Sequence, residues 1–123
     1  MRTELRDLLN KRVRCEGDLV SVSTETVTKS RKYPKGICGR VTIRNVIVCG
    51  EELSHINARV PLRELDKYKQ KVGKHVEFTG QVYKYIKNSR DSRGRLTGVY
   101  KEDYGIKEIK KVLVKGDIVP KGE

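Results

Sequence analysis

Hydrophobic and polar residues alternate with a period of two over much of this chain, and that period predicts strands. Val13, Cys15, Gly17 and Leu19 alternate with Arg14, Glu16 and Asp18, and the apolar parity then shifts to Val20 and Val22. A strand whose inward face switches midway needs a bulge or a sharp coil. In "ICGRVTIRNVIVC" the residues Ile37, Val41, Ile43, Ile47 and Cys49 mark a second strand. "GEEL" reads as a turn, and Ile56, Ala58 and Val60 mark a third strand. Val76, Phe78, Val82 and Ile86 define a fourth, with Gly80 on the inward parity, where a missing side chain permits a tight bend. Ile106, Ile109, Val112 and Val114 mark a fifth, with Ile109 off parity.

Helical spacing occurs twice. Leu5, Leu8 and Leu9, with Thr3 as cap and Asn10 as stop, predict a short helix or arm over residues 1–11. Pro61 followed by Leu62, Leu65, Tyr68 and Val72 predicts one short helix over 61–72, ended by Gly73. Two polar connections remain. "TVTKSRKYPKG" joins strands 1 and 2, with Pro34 and Gly36 as turn residues. "NSRDSRGRLTGVYKEDYG", residues 88–105, has neither period and reads as a long loop between strands 4 and 5. Loops above about 12 to 15 residues are usually functional or disordered. "KGDIVPKGE", residues 115–123, reads as a flexible tail.

Charge gives these connections a meaning. The 123 residues, enough for one domain, carry a net charge of +12. Residues 26–50 hold six bases and no acid, and residues 78–101 hold six bases against Asp91 alone. Two single-sign segments suit a polyanion; the plainer alternative is basicity for solubility. No apolar run approaches the roughly 20 residues that span a membrane, and the start lacks the pattern of a signal peptide. A cytoplasmic location without membrane association is therefore expected. Cys15, Cys38 and Cys49 form no CxxC pair, and an odd count fits small buried hydrophobes in a reducing compartment.

Three strands, a short helix and two further strands, with long connections after the first and fourth, describe a five-stranded antiparallel oligonucleotide/oligosaccharide-binding (OB-fold) barrel over residues 12–114. The expected class is all-β with one short helix. In such barrels the face of strands 2 and 3 and the 1–2 and 4–5 loops bind the ligand. "VRCEGDLVSV", "NVIVCGEELSHINARVP", "VGKHVEFTGQVYKYIK" and "DYGIKEIKKVLV" together resemble the small single-barrel OB-fold proteins of phages, mobile elements and Gram-positive bacteria. The most specific part is the Gly-x-x-Val-x-Phe-x-x-x-Val-x-x-Tyr pattern from Gly73 to Tyr85.

Single-stranded nucleic acid is bound by a positive groove and by aromatic faces on which bases stack. The candidates in the first segment are Lys29, Arg31, Lys32, Tyr33 and Lys35, with Arg40 and Arg44 on the parity opposite Val41 and Ile43. In the second they are Tyr83, Tyr85, Lys87, Arg90, Arg93, Arg95, Tyr100 and Lys101. Plainer roles are pairing of Arg40 or Arg44 with Glu51 or Glu52, tyrosines that cover the sheet, and solvation of the loop bases. Glu16 and Asp18 share a face but lack a third carboxylate beside a catalytic arginine, and His55, His75 and the cysteines lack metal-ligand spacing. No phosphate loop or nucleophile elbow appears. The expected function is non-enzymatic binding of nucleic acid without a cofactor, single-stranded DNA before RNA. The alternative is a phage or mobile-element module that docks on an acidic protein surface of a replication, repair or defence complex.

Overall fold

The structure is a computed structural model and describes residues 3–119, with side chains from Leu5 onward. Five antiparallel strands form one sheet in the order β3-β2-β1-β4-β5: β1 Arg12–Thr26, β2 Ile37–Val48, β3 Glu51–Val60, β4 Lys74–Arg90 and β5 Leu96–Asp117. The edge strands β3 and β5 approach each other without a hydrogen-bonded ladder between them. Among the described residues no helix is long and apolar enough to cross a membrane.

The switch of parity in β1 is a bulge. Leu19 pairs with Ile43 and Ser21 with Thr42, so Val20 is the extra residue, and Leu19 is fully buried while Val22 packs against the core. A second irregularity went unforeseen. Asn45 adopts a left-handed backbone, φ 53°, and donates from Nδ2 to Asp18 Oδ2 at 3.1 Å. Beyond it Val46 and Val48 point inward, leaving Ile47 and Cys49 exposed. Cys15 and Cys38 are buried as expected, and burial pushes the Cys15 thiol up to about 12. The expected "GEEL" turn is tighter: Cys49 and Gly50, both at positive φ, make the two-residue connection and Glu51 already belongs to β3.

In β5 the off-parity Ile109 has the same kind of cause. Thr79 pairs with Lys110 and Gln81 with Lys107, so two residues of β4 span three of β5, and a second such step lies between Glu77 and Thr79. Glu108 and Lys111, at φ 53° and 55°, absorb the extra residues. Ile106, Ile109 and Val112 therefore all turn to the core at intervals of three. Gly80 leaves room for this packing, since a Cβ there would lie 2.2 Å from Ile106 Cγ2.

Both predicted helices are shorter than expected. Pro61 caps a 3-10 turn, Leu62–Glu64, that runs into α1, Leu65–Lys69, and α1 buries Tyr68 while Leu62 and Val72 stay exposed. A 3-10 helix, Thr3–Leu8, precedes β1, and its Leu5 is fully buried. This segment is thus part of the core, fastened by Asn10 N–H to Val82 O at 2.8 Å and Val82 N–H to Lys11 O at 3.0 Å. The cap expected from the Thr3 side chain lies outside the described residues.

Two expected irregular segments are strands. Residues 88–105 are the outer part of a β4–β5 hairpin, paired from Tyr83↔Gly105 to Asn88↔Tyr100 and closing at Arg90↔Leu96. Asp91 builds the tip: its Oδ1 accepts from the N–H groups of Arg93 and Arg95 at 2.8 and 3.0 Å, and Gly94 takes φ 79°. Cross-strand pairing, which no hydrophobic period announces when both faces meet water, replaces the loop. The expected tail likewise begins late, because β5 continues to Asp117; residues 120–123 lie outside the described residues.

Candidate nucleic-acid interface

The 1–2 connection folds on itself. Val27 N–H donates to Gly36 O at 2.9 Å, Gly36 N–H to Tyr33 O at 3.0 Å, and Ser30 Oγ accepts from Tyr33 N–H at 3.1 Å. These bonds turn Tyr33 partly inward and leave the basic side chains exposed. Lys32 leans on the Tyr33 ring, 5.7 Å from its centroid, and reaches Glu108 Oε1 of β5 at 3.6 Å. The connection is thereby tied to the bulge of β5.

Beside it lies a cleft of about 570 Å³ lined by residues of all five strands and of the 1–2 connection. Its floor comes from the outward parity of β2 and β3, where Arg40 stands directly opposite Arg59 and Thr42 opposite Asn57. Thr42 Oγ1 donates to Asn57 Oδ1 at 2.8 Å. Like charges directly opposite on a ladder repel. Glu25 accepts from Arg59 Nε at 3.3 Å, whereas Arg40 makes no ion pair among the described residues. Tyr83 forms the far wall with its ring over Gly105, where a Cβ would come within 3.0 Å of the ring edge. Lys107 Nζ lies 5.5 Å from the Tyr83 centroid.

Of the expected site residues, Lys32, Tyr33, Arg40 and Tyr83 meet at this cleft. Arg44 shares the outer face with Arg40 but stands further along β2, opposite His55, and is exposed without an ion pair to Glu51 or Glu52. Lys29, Arg31 and Lys35 are exposed in the connection and do not line the cleft. Tyr85, Lys87 and Lys101 follow Tyr83 along one side of the hairpin, whereas Tyr100 lies on the other side, opposite Asn88. Arg90, Arg93 and Arg95 crowd the tip, where Arg90 Nη1 donates to Gly94 O at 2.7 Å. The sequence reading missed Asn57, Arg59, Lys107, Glu25 and Glu108. Asn57 and Arg59 have the parity opposite Ala58 and Val60, a signal that was available; their position across from Arg40 and Thr42 depends on register.

A second polar cluster lies on the β1–β4 ladder. His75 Nδ1 is 2.8 Å from Asp18 Oδ1, and Nε2 is 3.4 Å from Glu16 Oε2. The hydrogen bond to Asp18 is the main cause that holds the imidazole pKa above its ordinary value; burial opposes it and Glu16 assists. Glu16 and Asp18, which share a face of β1, are thus both engaged by one histidine, and the described residues hold no group of three or more His, Cys, Asp or Glu that could hold a metal ion. Comparisons of the chain with protein-family models, with curated proteins and with solved structures find no match.

Proposed function

We propose that the chain is a non-enzymatic nucleic-acid-binding protein, that its ligand is single-stranded DNA, and that its sheet is an OB-type barrel whose β3 and β5 edges close by side-chain contact. The observation that carries this reading is the cleft, in which Arg40 and Arg59 oppose each other and Tyr33 and Tyr83 share the lining. Guanidinium forks give bidentate hydrogen bonds to phosphate, and an anion between two arginines converts their repulsion into attraction. Tyrosine faces accept unstacked bases, each worth about 1 to 3 kcal/mol. A duplex keeps its bases stacked inside and offers such rings nothing, so the combination favours a single strand.

Gel mobility shift with single-stranded DNA, duplex DNA and RNA of one sequence, at two salt concentrations, tests the reading. Single-stranded DNA is expected to bind most tightly, and the double variant Arg40→Gln/Arg59→Gln to lose most of that affinity while keeping its circular dichroism spectrum. Tighter binding of duplex, or no binding to any nucleic acid at low salt, overturns the reading.

A further inference from the structure

The cleft opens at Tyr83 onto the β4–β5 hairpin. From Val82↔Ile106 to Asn88↔Tyr100 the register is unbroken, so residues alternate strictly between two faces. Tyr83, Tyr85 and Lys87 share one face with Gly105, Asp103 and Lys101 across the ladder.

The two faces differ in chemistry. On the face away from the cleft, Lys84 is neutralised by Glu102 at 3.6 Å, and Ile86 stands opposite that same glutamate. On the cleft face, Lys87 stands directly opposite Lys101, and neither makes an ion pair among the described residues. This repeats on the hairpin the like-charge arrangement of Arg40 and Arg59. Between the lysines and the cleft, the Tyr83 and Tyr85 rings lie 5.6 Å apart at 36°. Tyr83 rests over Gly105, and Tyr85 donates its hydroxyl to Asp103 Oδ2 at 3.1 Å. Asp103, the acid of this face, also accepts from the N–H of Tyr104 at 2.8 Å. Both rings are therefore held before any ligand arrives, and the four-residue step from Tyr83 to Lys87 spans about 13 Å.

We infer that the binding track continues from the cleft along this one face of the hairpin, with bases of a single strand on Tyr83 and Tyr85 and a phosphate gripped between Lys87 and Lys101. The inference rests on the nucleic-acid reading above and adds the side and the extent of the site. It excludes Tyr100 and Ile86, which face the other way.

Fluorescence anisotropy with labelled oligothymidylates of about 4 to 16 nucleotides, the range bound by single barrels, tests it. In the intact protein, affinity is expected to rise with length to a plateau. In Lys87→Gln/Lys101→Gln the plateau should arrive at a shorter oligonucleotide, and the slope of log affinity against log salt should lessen by roughly 0.7, the share of the one phosphate the two lysines grip. Lys84→Gln, on the other face, should change neither. An unchanged plateau and slope in the Lys87/Lys101 variant, with affinity still lost in the Arg40/Arg59 variant, overturns the track but leaves the cleft. Equal effects of Lys84→Gln and the Lys87/Lys101 pair overturn its one-sidedness. Failure of the intact protein to bind any of these oligonucleotides removes the underlying reading as well.

Discussion

At the scale of single residues, Gly80 and His75 carry consequences that solution measurements can check. Gly80 leaves no space for a methyl group, because Ile106 Cγ2 occupies it. Gly80→Ala is expected to cost about 1 to 3 kcal/mol, read from the urea midpoint, as overpacking does. Ile106→Ala in the same chain should recover part of the loss, which a double-mutant cycle isolates. His75 is protonated more readily in the folded chain than in the unfolded one, through Asp18 first and Glu16 with it. A raised folded pKa contributes stability that is fully present below the unfolded value of about 6.5 and is lost as pH rises through the folded value. The urea midpoint should accordingly fall as pH rises above about 6.5, and His75→Gln should flatten that fall. An identical pH profile in the variant would show that the Asp18–His75–Glu16 contact is not formed in solution.

At the scale of elements, the N-terminal turn and the hairpin depart furthest from the sequence-based expectation. Leu5 is fully buried, so Leu5→Ala should cost about 2 to 5 kcal/mol, as large-to-small changes in a core do; a value near zero would mean an arm that lies outside the core. The hairpin is paired along its length but exposes Ile86, Leu96, Val99 and Tyr100, and a two-stranded ribbon without a packed face is marginal in water. Hydrogen exchange should therefore be graded: slow at Tyr83 and Tyr104, where the ribbon leaves the core, and fast at Asp91–Arg95. Uniformly fast exchange from residue 84 to residue 103 would mean a loop. Bound single-stranded DNA should slow exchange at Tyr85 and Lys87.

At the scale of the whole molecule, charge decides how binding responds to salt. The basic segments at 26–50 and 78–101 frame the cleft and the hairpin, while α1 carries Lys67 paired with Glu64 at 3.2 Å. If about four to six phosphates are neutralised, log affinity for a single strand should fall with log salt at roughly −3 to −4. Replacing Lys32, Lys35, Arg93 and Arg95 with alanine should flatten that slope by roughly 3 units, whereas replacing Lys67 and Lys71 should leave it nearly unchanged. Equal effects of the two sets would indicate diffuse attraction to a basic surface and no binding face.

The amino-acid pattern by itself determined the number and order of the strands, the helix after Pro61, the bulge near Val20, the inward place of Gly80 and the two basic segments. Each follows from local chemistry: alternation marks burial on one side, proline and glycine mark boundaries, and charge is counted directly. What only the tertiary structure decided depends on partners distant in the chain. The left-handed turns at Asn45, Glu108 and Lys111 reset which residues face the core, and no local period announces them. Pairing of Asn88 with Tyr100 turned an aperiodic segment into a ribbon, because a strand exposed on both faces has no reason to alternate. Register set Arg40 against Arg59 and Lys87 against Lys101, and a shift of one residue would have turned those side chains to the other face of the sheet.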